Sequence, residues 1–403
     1  MQSGDGSLSK KDKLPLLSRS NQVTGVHLLW FTGWVATATS VMTGLLNSVR
    51  YSQDFQWSPT RLLLHHIDPW REALAGNPSG SLILSQGPNY AHFLYLLMAP
   101  LGAMSFPVAR VIWAVCNVCF ACLTLWLVKQ MFQQTKAEWG VTCVAFLCGT
   151  SFRNDLHNGQ QALLVLVLVT LAYSARKTWP QCLWFGLSYC KYSFSPPYFF
   201  DLVFSRPVGF VIATFIPAVI GVLWAHWMVG GPWVHLAIEP LLVGKGIRPS
   251  NSDWMALVDT FFVWRHDRNI LFLALEYGVP IVAAAAVAWG MRFRSGLRSS
   301  ALVQAMTAVY GTAALLLFRH LGYDFVFLVF AFALALKYRR QFVARGALLC
   351  VAYFWFLQRI GNVFHLQLDT RFVVFNFLVL ALTLFQLTRI RHAEPAGSDP
   401  AED

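Results

Sequence analysis

The chain has 403 residues, with 31 Lys and Arg against 19 Asp and Glu for a net charge of +12, and it is 56% hydrophobic, 15% aromatic and only 12% charged, at mean hydropathy +0.50. A soluble domain carries roughly 25% charged residues, so half that density cannot make a solvated surface, and the composition indicates a polytopic membrane protein. Disordered, collagen-like and coiled-coil architectures need low hydrophobicity or strict periods, and neither is present.

Residues 1-23 are polar and carry Lys10, Lys11, Lys13 and Arg19; an apolar run from about Gly25 to Leu46 follows. A cleaved signal peptide would be shorter and would end in a small-residue cleavage site, whereas Asn47, Ser48, Val49 and Arg50 come next. The run is therefore expected to be a retained first span with its amino end in the cytoplasm. Further apolar runs lie near 90-105, 107-128, 139-152, 160-175, 181-204, 207-229, 269-291, 299-319, 321-337, 343-360 and 371-388. At about 30 Å of hydrocarbon per crossing they predict about 12 transmembrane helices.

Charge tests the count, because cytoplasmic loops collect Lys and Arg. Lys10 to Arg19, Arg292 to Arg298, Lys337 to Arg345, and Arg389 with Arg391 all fall inside, so the tails 1-23 and 391-403 are both expected in the cytoplasm around a domain at 24-390. Lys129 with Lys136, and Arg176 with Lys177, fall on the wrong side, which makes 129-177 the stretch that fits least, with a re-entrant rather than spanning run there as the alternative. This clustering also accounts for the basic excess, so no nucleic-acid partner is expected.

Two long loops, about 47-89 and 230-268, are placed outside by the same count. Pro59 to Leu74 mixes Leu62, Leu63, Leu64, Ile67 and Trp70 with Arg61, His65, His66 and Arg71. Trp254, Leu257, Val258, Phe261 and Phe262 recur at helical spacing. Both patterns suit interfacial helices.

Several residues in this frame carry chemistry. Asp54, in YSQDFQW, is the first acidic residue after the first span, and flanking by Phe55 and Trp57 desolvates it toward the basicity of a general base; an ordinary loop aspartate is the alternative. Lys191 falls near the middle of a predicted span, where a lysine costs about 2.5-3.5 kcal/mol, and Pro196 with Pro197 breaks that helix. Arg319, His320 and Asp324 interrupt an apolar stretch at a predicted outer turn; His320 and Asp324 share a face if helix resumes at His320, and a structural ion pair capping a helix end is the alternative. The string FRNDLHNGQQ, with Asn154, Asp155, His157, Asn158, Gln160 and Gln161, forms another polar cluster, for which a solvated loop is favoured over a functional site.

His65, His66, Asp68 and His92 match no zinc spacing, and Cys116, Cys119 and Cys122 lack a further nearby ligand, so no metal site and no cofactor is expected. The eight cysteines all lie in apolar runs and behave as small hydrophobes. No phosphate-binding glycine loop or nucleophile elbow appears.

These residues together resemble the glycosyltransferase-C superfamily, in particular the family 87 branch of polyprenol-phosphate-sugar-dependent, mannosyltransferase-like membrane proteins. The resemblance is carried by DFQWSPTRLLLHHIDPW with Asp54-Phe55 and Asp68-Pro69-Trp70, by NYAHFLYLLMAPLGAMSFPVARVIW, by Gly159-Gln160, by Lys191 with its following prolines, by Asn251-Ser252, and by His320 with Tyr323-Asp324. Trp70 stands where the family usually has Tyr, and Ala162 where it often has Asn.

The resemblance implies a glycosyltransferase-C fold in a plasma or inner membrane, an active site on the extracytoplasmic face, a polyprenyl-phosphate-sugar donor and a glycan or glycolipid acceptor. Asp54 is then the catalytic base, with Lys191, His320, Arg319, Asp324, Gln160 and Asp68 as substrate-binding residues. A secondary transporter or lipid-linked-glycan flippase is the competing class; it favours inverted repeats and broken helices in both halves, and only the 196-197 break is visible.

Overall fold

The computed structural model describes residues 16–52, 55–83, 87–244, 252–262, 270–294, 300–357 and 369–391. Asp54, Asn251 and most of both tails lie outside these residues. Every described element is helical. In chain order they are α1 (Leu16–Tyr51), α2 (Trp57–Leu64), α3 (Pro69–Leu74), α4 (Phe93–Gly102), α5 (Phe106–Phe132), α6 (Lys136–Cys148), α7 (Thr150–Asn158), α8 (Ala162–Ser174), α9 (Thr178–Ser188) and α10 (Ser195–Ser205). Then come α11 (Val208–Ala213), α12 (Ile216–Val229), α13 (Trp233–Gly244), α14 (Trp254–Phe262), α15 (Ile270–Leu273), α16 (Val279–Arg294), α17 (Ser300–Leu317), α18 (Val329–Lys337), α19 (Phe342–Ala352) and α20 (Thr370–Arg389). A 3₁₀-helix, Gly322–Leu328, leads into α18.

Six of these helical stretches are long and apolar enough to cross a bilayer, or seven if α7 and α8, bent by 114°, count as one. They establish a polytopic membrane protein. Ser300–Leu317 stands apart from the other five: 78% of it is buried inside the protein, against 17–44% for the rest. A helix buried on every face is a core element, so α17 is the pillar, with the fully buried 3₁₀-helix and α18 beside it. Around it α5 packs on α8, α8 on α9, α10 on α16, and α18 on α19.

Two predicted spans take a different form. The run 90-105 contains only α4, ten residues or about 15 Å long, too short to cross. The run 181-204 is not one helix. Proline favours the first turn of a helix and disfavours helix in the residue before it, so Pro196 and Pro197 start α10 and the chain opens at 189–194 ahead of them. The two arms, α9 and α10, fold back antiparallel: Arg206 donates to Gln181 at 2.5 Å across the open ends, and the Tyr189 and Phe199 rings lie 6.5 Å apart near the tip.

The failure of α4 to cross resolves the misplaced charges. The chain enters α5 from the side where Trp57 donates to the Leu101 and Met104 carbonyls, and leaves it at the opposite end. There Glu138 pairs with Arg339, Gln304 donates to the Met131 carbonyl at 2.7 Å, and Lys337 donates to Gln304 at 2.9 Å. Lys129 and Lys136 therefore sit with Lys337 and Arg339 at one basic end. Arg176 and Lys177, which line a depression together with Leu127 near the foot of α5, join them.

The amphipathic stripes also face differently from expectation. Pro59 to Leu74 is two helices, because Asp68 accepts from the backbone N–H groups of Trp70 and Arg71 at 2.9 Å and starts a new helix at Pro69. Leu62, Leu63 and Trp70 are buried against protein rather than turned to a bilayer. In α14 the buried residues are Met255, Ala256 and Val258, while Phe261 is exposed.

Cysteines introduced at Lys136, Lys177 and Arg340 are expected to react with an impermeant thiol reagent from one side of the membrane, and a cysteine at Ser79 from the other. Labelling of Lys177→Cys and Ser79→Cys from the same side would overturn this arrangement.

Candidate active site

At the end of the bundle opposite the basic end, three interruptions of helix meet. The first is the turn after α7: Gly159 adopts φ 67°, and a Cβ there would lie 2.8 Å from the Ser52 hydroxyl. The second is the α9–α10 tip, where Lys191 has extended-side backbone angles (φ −115°, ψ 85°). The third is the segment between α17 and the 3₁₀-helix, which carries Arg319 and His320.

The Lys191 ammonium pairs with Asp324 Oδ1, and both side chains are buried. The Phe194 and Tyr323 ring centroids lie 5.2 and 5.0 Å from the Lys191 Nζ. The other Asp324 oxygen accepts from the Leu321 N–H at 2.9 Å and so caps the 3₁₀-helix. Helix resumes only at Gly322, which leaves His320 outside it and prevents the shared helical face with Asp324.

His320 instead joins α14. Its backbone N–H donates to Asp253 Oδ2 at 3.3 Å, its Nδ1 lies 3.3 Å from the same oxygen, and its Nε2 lies 3.1 Å from the Ser252 hydroxyl. Arg319 donates to Asp259 at 2.7 Å and to Glu276 at 3.3 Å.

The string read as a solvated loop is mostly helix, and its inner face is buried: Asp155, Gln160 and Gln161 are all 1% exposed or less. Asp155 accepts from the Leu163 N–H at 3.1 Å and has Lys191 and Asp324 within electrostatic reach. Gln160 accepts from the Tyr90 hydroxyl at 3.2 Å. Burial, together with Tyr323 and Asp324, pushes the Tyr90 hydroxyl well above its ordinary value, so it stays a donor. Ala91 donates to the Cys190 carbonyl at 3.0 Å and ties this strip to the hairpin tip.

The structure thus gathers Lys191, Asp324 and Gln160 into one buried group, with Arg319 and His320 on the adjoining loop. Asp68 Oδ1 caps α3. Asp54 itself lies outside the described residues, but both chain neighbours of 53–54 are placed: the Ser52 hydroxyl donates to the Asn158 carbonyl at 3.3 Å, and Phe55 is fully buried.

Sequence reasoning did not single out Tyr90, Asp253, Asp259 or Glu276, and it misassigned Asp155 and Gln161. A signal existed for Asp155: Phe152, Asp155, Leu156 and Gly159 follow i, i+3, i+4, i+7 spacing and form one inward face.

Bilayer-length helices around a buried ionic centre at one end define a polytopic membrane protein with a buried polar site. The chain belongs to glycosyltransferase family 87, whose profile matches residues 90–319, more than half of its length. It is therefore a membrane glycosyltransferase, with a sugar donor and an acceptor. The match takes in Tyr90, Asp155, Gln160, Lys191 and Arg319; it begins after Asp54 and ends just before His320. No curated protein and no solved structure matches the chain.

Removing Lys191 leaves Asp324, 1% exposed, without its counter-ion, and breaking a buried pair on one side typically costs about 3–5 kcal/mol. Lys191→Met is expected to lower Tm in detergent, and adding Asp324→Asn to recover part of the loss. An unchanged Tm in Lys191→Met would show that the pair carries no stability.

His92 supplies a pH test. Its ring lies 4.4 Å from that of Trp70, and burial pushes it down from 6.5 to about 4. The unfolded chain therefore binds the proton first on acidification: stability is intact above about pH 6.5 and drains as pH falls toward 4, by roughly 3 kcal/mol at 1.36 kcal/mol per pH unit. His92→Leu should flatten the fall of Tm over that range; retention of the parental acid slope would assign it to other groups.

Proposed function

We propose that the protein transfers a mannose-like hexose from a polyprenyl-phosphate donor to an extracytoplasmic glycan or glycolipid acceptor, with inversion, using Asp54 as general base. The observation that supports this reading best is the buried Lys191, held at a helix break with Arg319 and His320 on the adjoining loop. Ser52 and Phe55, the described residues on either side of 53–54, lie in the same end of the bundle through the Asn158–Gly159 turn. Lysine at membrane depth is costly and is retained where it meets an anion.

The chemistry needs little else. An acceptor hydroxyl oxygen forms a bond to the anomeric carbon on the face opposite the phosphate, the bond from that carbon to the phosphate oxygen breaks, and Asp54 takes the hydroxyl proton. The phosphate leaves as an anion, and fixed cations lower the barrier by stabilising the charge that develops on it. Lys191 has three N–H donors and Arg319 five, so each can add a phosphate oxygen to its carboxylate partner. His320, Gln160 and Asp324 complete the donor-binding set, and Asp68 orders the helix that follows it.

The positive-inside rule puts the basic end in the cytoplasm and the site on the extracytoplasmic face of a cell membrane. The chain is read as about 12 transmembrane helices in a glycosyltransferase-C arrangement, both tails cytoplasmic.

Asp54→Asn keeps size and removes the proton acceptor, so sugar transfer from polyprenyl-phosphate hexose in membranes should fall by about 10²–10⁴-fold with expression and Tm near parental. An Asn variant with near-parental turnover removes Asp54 from the mechanism.

A further inference from the structure

At the basic end of the bundle, α5, α8 and α9 enclose a depression of about 330 Å³. It lies at the far end of these helices from the candidate active site. Leu127, Leu171 and Trp184 give it an apolar wall, and the turn between α8 and α9 places Arg176 and Lys177 beside that wall. Both basic side chains are exposed.

Neither cation has a carboxylate partner among the described residues. The acids at this end are already engaged: Glu138 pairs with Arg339, and Asp201 accepts from the Tyr173 hydroxyl at 3.2 Å. Two neighbouring cations are engaged as well. The Lys129 Nζ lies 4.7 Å from the Trp139 ring centroid, and Arg206 donates to Gln181 at 2.5 Å. Arg176 and Lys177 are left with their N–H donors free to meet an anion. The helix ends do not change the sign: the last-turn carbonyls of α8 and the first-turn amides of α9 meet at the same turn, and their partial charges oppose one another.

The apolar wall continues beyond the depression. Positions three or four apart share a helix face, so Leu123 on α5 extends the row of Leu127, and Leu183 on α9 extends that of Pro180. Both leucines lie one turn further from the basic end and are 38% and 36% exposed. Trp179, 65% exposed, stands at the start of α9, and tryptophan is favoured at the boundary between headgroups and hydrocarbon.

We propose that this depression binds an anionic phospholipid, with its phosphate on Arg176 and Lys177 and an acyl chain along Leu127, Leu123 and Leu183. Ligand pockets run to about 300–1,000 Å³, so a depression of this size admits a headgroup and leaves the chains outside, where the exposed leucines are. A negatively charged leaflet attracts any basic surface, and a basic pocket between helices turns that attraction into a site. The positive-inside bias calls for cations at this end, but not for two of them unpaired beside an apolar hollow.

The test uses the full chain in mild detergent, with bound lipid counted by native mass spectrometry. The probes are dioleoyl phosphatidylglycerol, dioleoyl phosphatidylcholine and glycerol 3-phosphate. The first phosphatidylglycerol should bind at least about tenfold more tightly than phosphatidylcholine and should resist a tenfold excess of glycerol 3-phosphate. Arg176→Gln with Lys177→Gln should weaken it by about 30-fold, roughly fivefold for each basic side chain. Arg340→Gln with Arg345→Gln removes the same charge from exposed positions at the same end and should leave binding within about twofold of parental. If the loss of two basic residues disturbs insertion, Ala175→Trp keeps both cations, fills the depression and should weaken binding as strongly. Equal affinity for the two lipids, or an equal loss in both double variants, would reduce the effect to net charge and overturn the proposal. Displacement by glycerol 3-phosphate would make this a site for a free phosphate, and parental binding in Arg176→Gln with Lys177→Gln or in Ala175→Trp would place the lipid elsewhere; either result overturns it too.

Discussion

The Lys191–Asp324 pair is the constraint on which the rest of this end of the molecule depends. It joins the tip of the α9–α10 hairpin to the 3₁₀-helix beside the pillar α17, two elements that otherwise expose broken backbone to one another. Burying two charges costs several kcal/mol per ion, recovered only when geometry and further hydrogen bonds are good. Here Asp324 also caps the 3₁₀-helix and Lys191 lies near two aromatic rings, so neither group depends on the pair alone. The pair is better understood as a device for register than as a source of stability, since apolar side chains of similar volume could hold the same helices.

Each of the three helix breaks has a local chemical cause. At Gly159 the chain needs positive φ and a close approach to Ser52, at the hairpin tip two prolines start α10, and after α17 a side-chain cap starts the 3₁₀-helix. Irregular backbone at membrane depth is tolerated where protein surrounds it and satisfies its polar groups. Neighbouring segments meet these conditions: Ala91 donates to the Cys190 carbonyl, Trp113 to the Gly159 carbonyl, and Asp253 accepts from the His320 N–H. A polar centre built this way needs no long side chains reaching in from intact helices. It brings the backbone itself to the site.

How much of this was legible in the sequence follows from what kind of signal each feature leaves. The membrane class, the first helix and α14 were legible because apolar length and helical spacing are local properties. Lys191, Arg319, His320 and Asp324 stood out because a charge in an apolar run is visible without any partner. Their partners were not: that Lys191 meets Asp324, and His320 meets Asp253, is set by contacts across 133 and 67 residues. Asp155 and Gln161 were hidden for the opposite reason. They sit among Asn154, His157 and Asn158, and a polar neighbourhood masks a buried polar residue. The run 90-105 reads as one apolar stretch, but the helix within it spans only Phe93–Gly102, because apolar content does not fix helix length.

Charge balance at the site adds a step to the proposed transfer. Lys191 and Arg319 already have carboxylate partners, and Asp253 faces His320, so the lipid phosphate of the proposed donor would meet cations that are partly neutralised. A bare cation cluster at this depth would bind the departing phosphate too well and would also be costly to bury while empty. Carboxylates that hold the cations in place keep the site foldable without a phosphate. The price is a weaker hold on the phosphate in the ground state. The gain comes when negative charge builds on the leaving oxygen, because the cations are already in place and need no reorganisation. In the proposed transfer such a site would favour the transition state over the bound donor, by the same ion pairs that set the register of its helices.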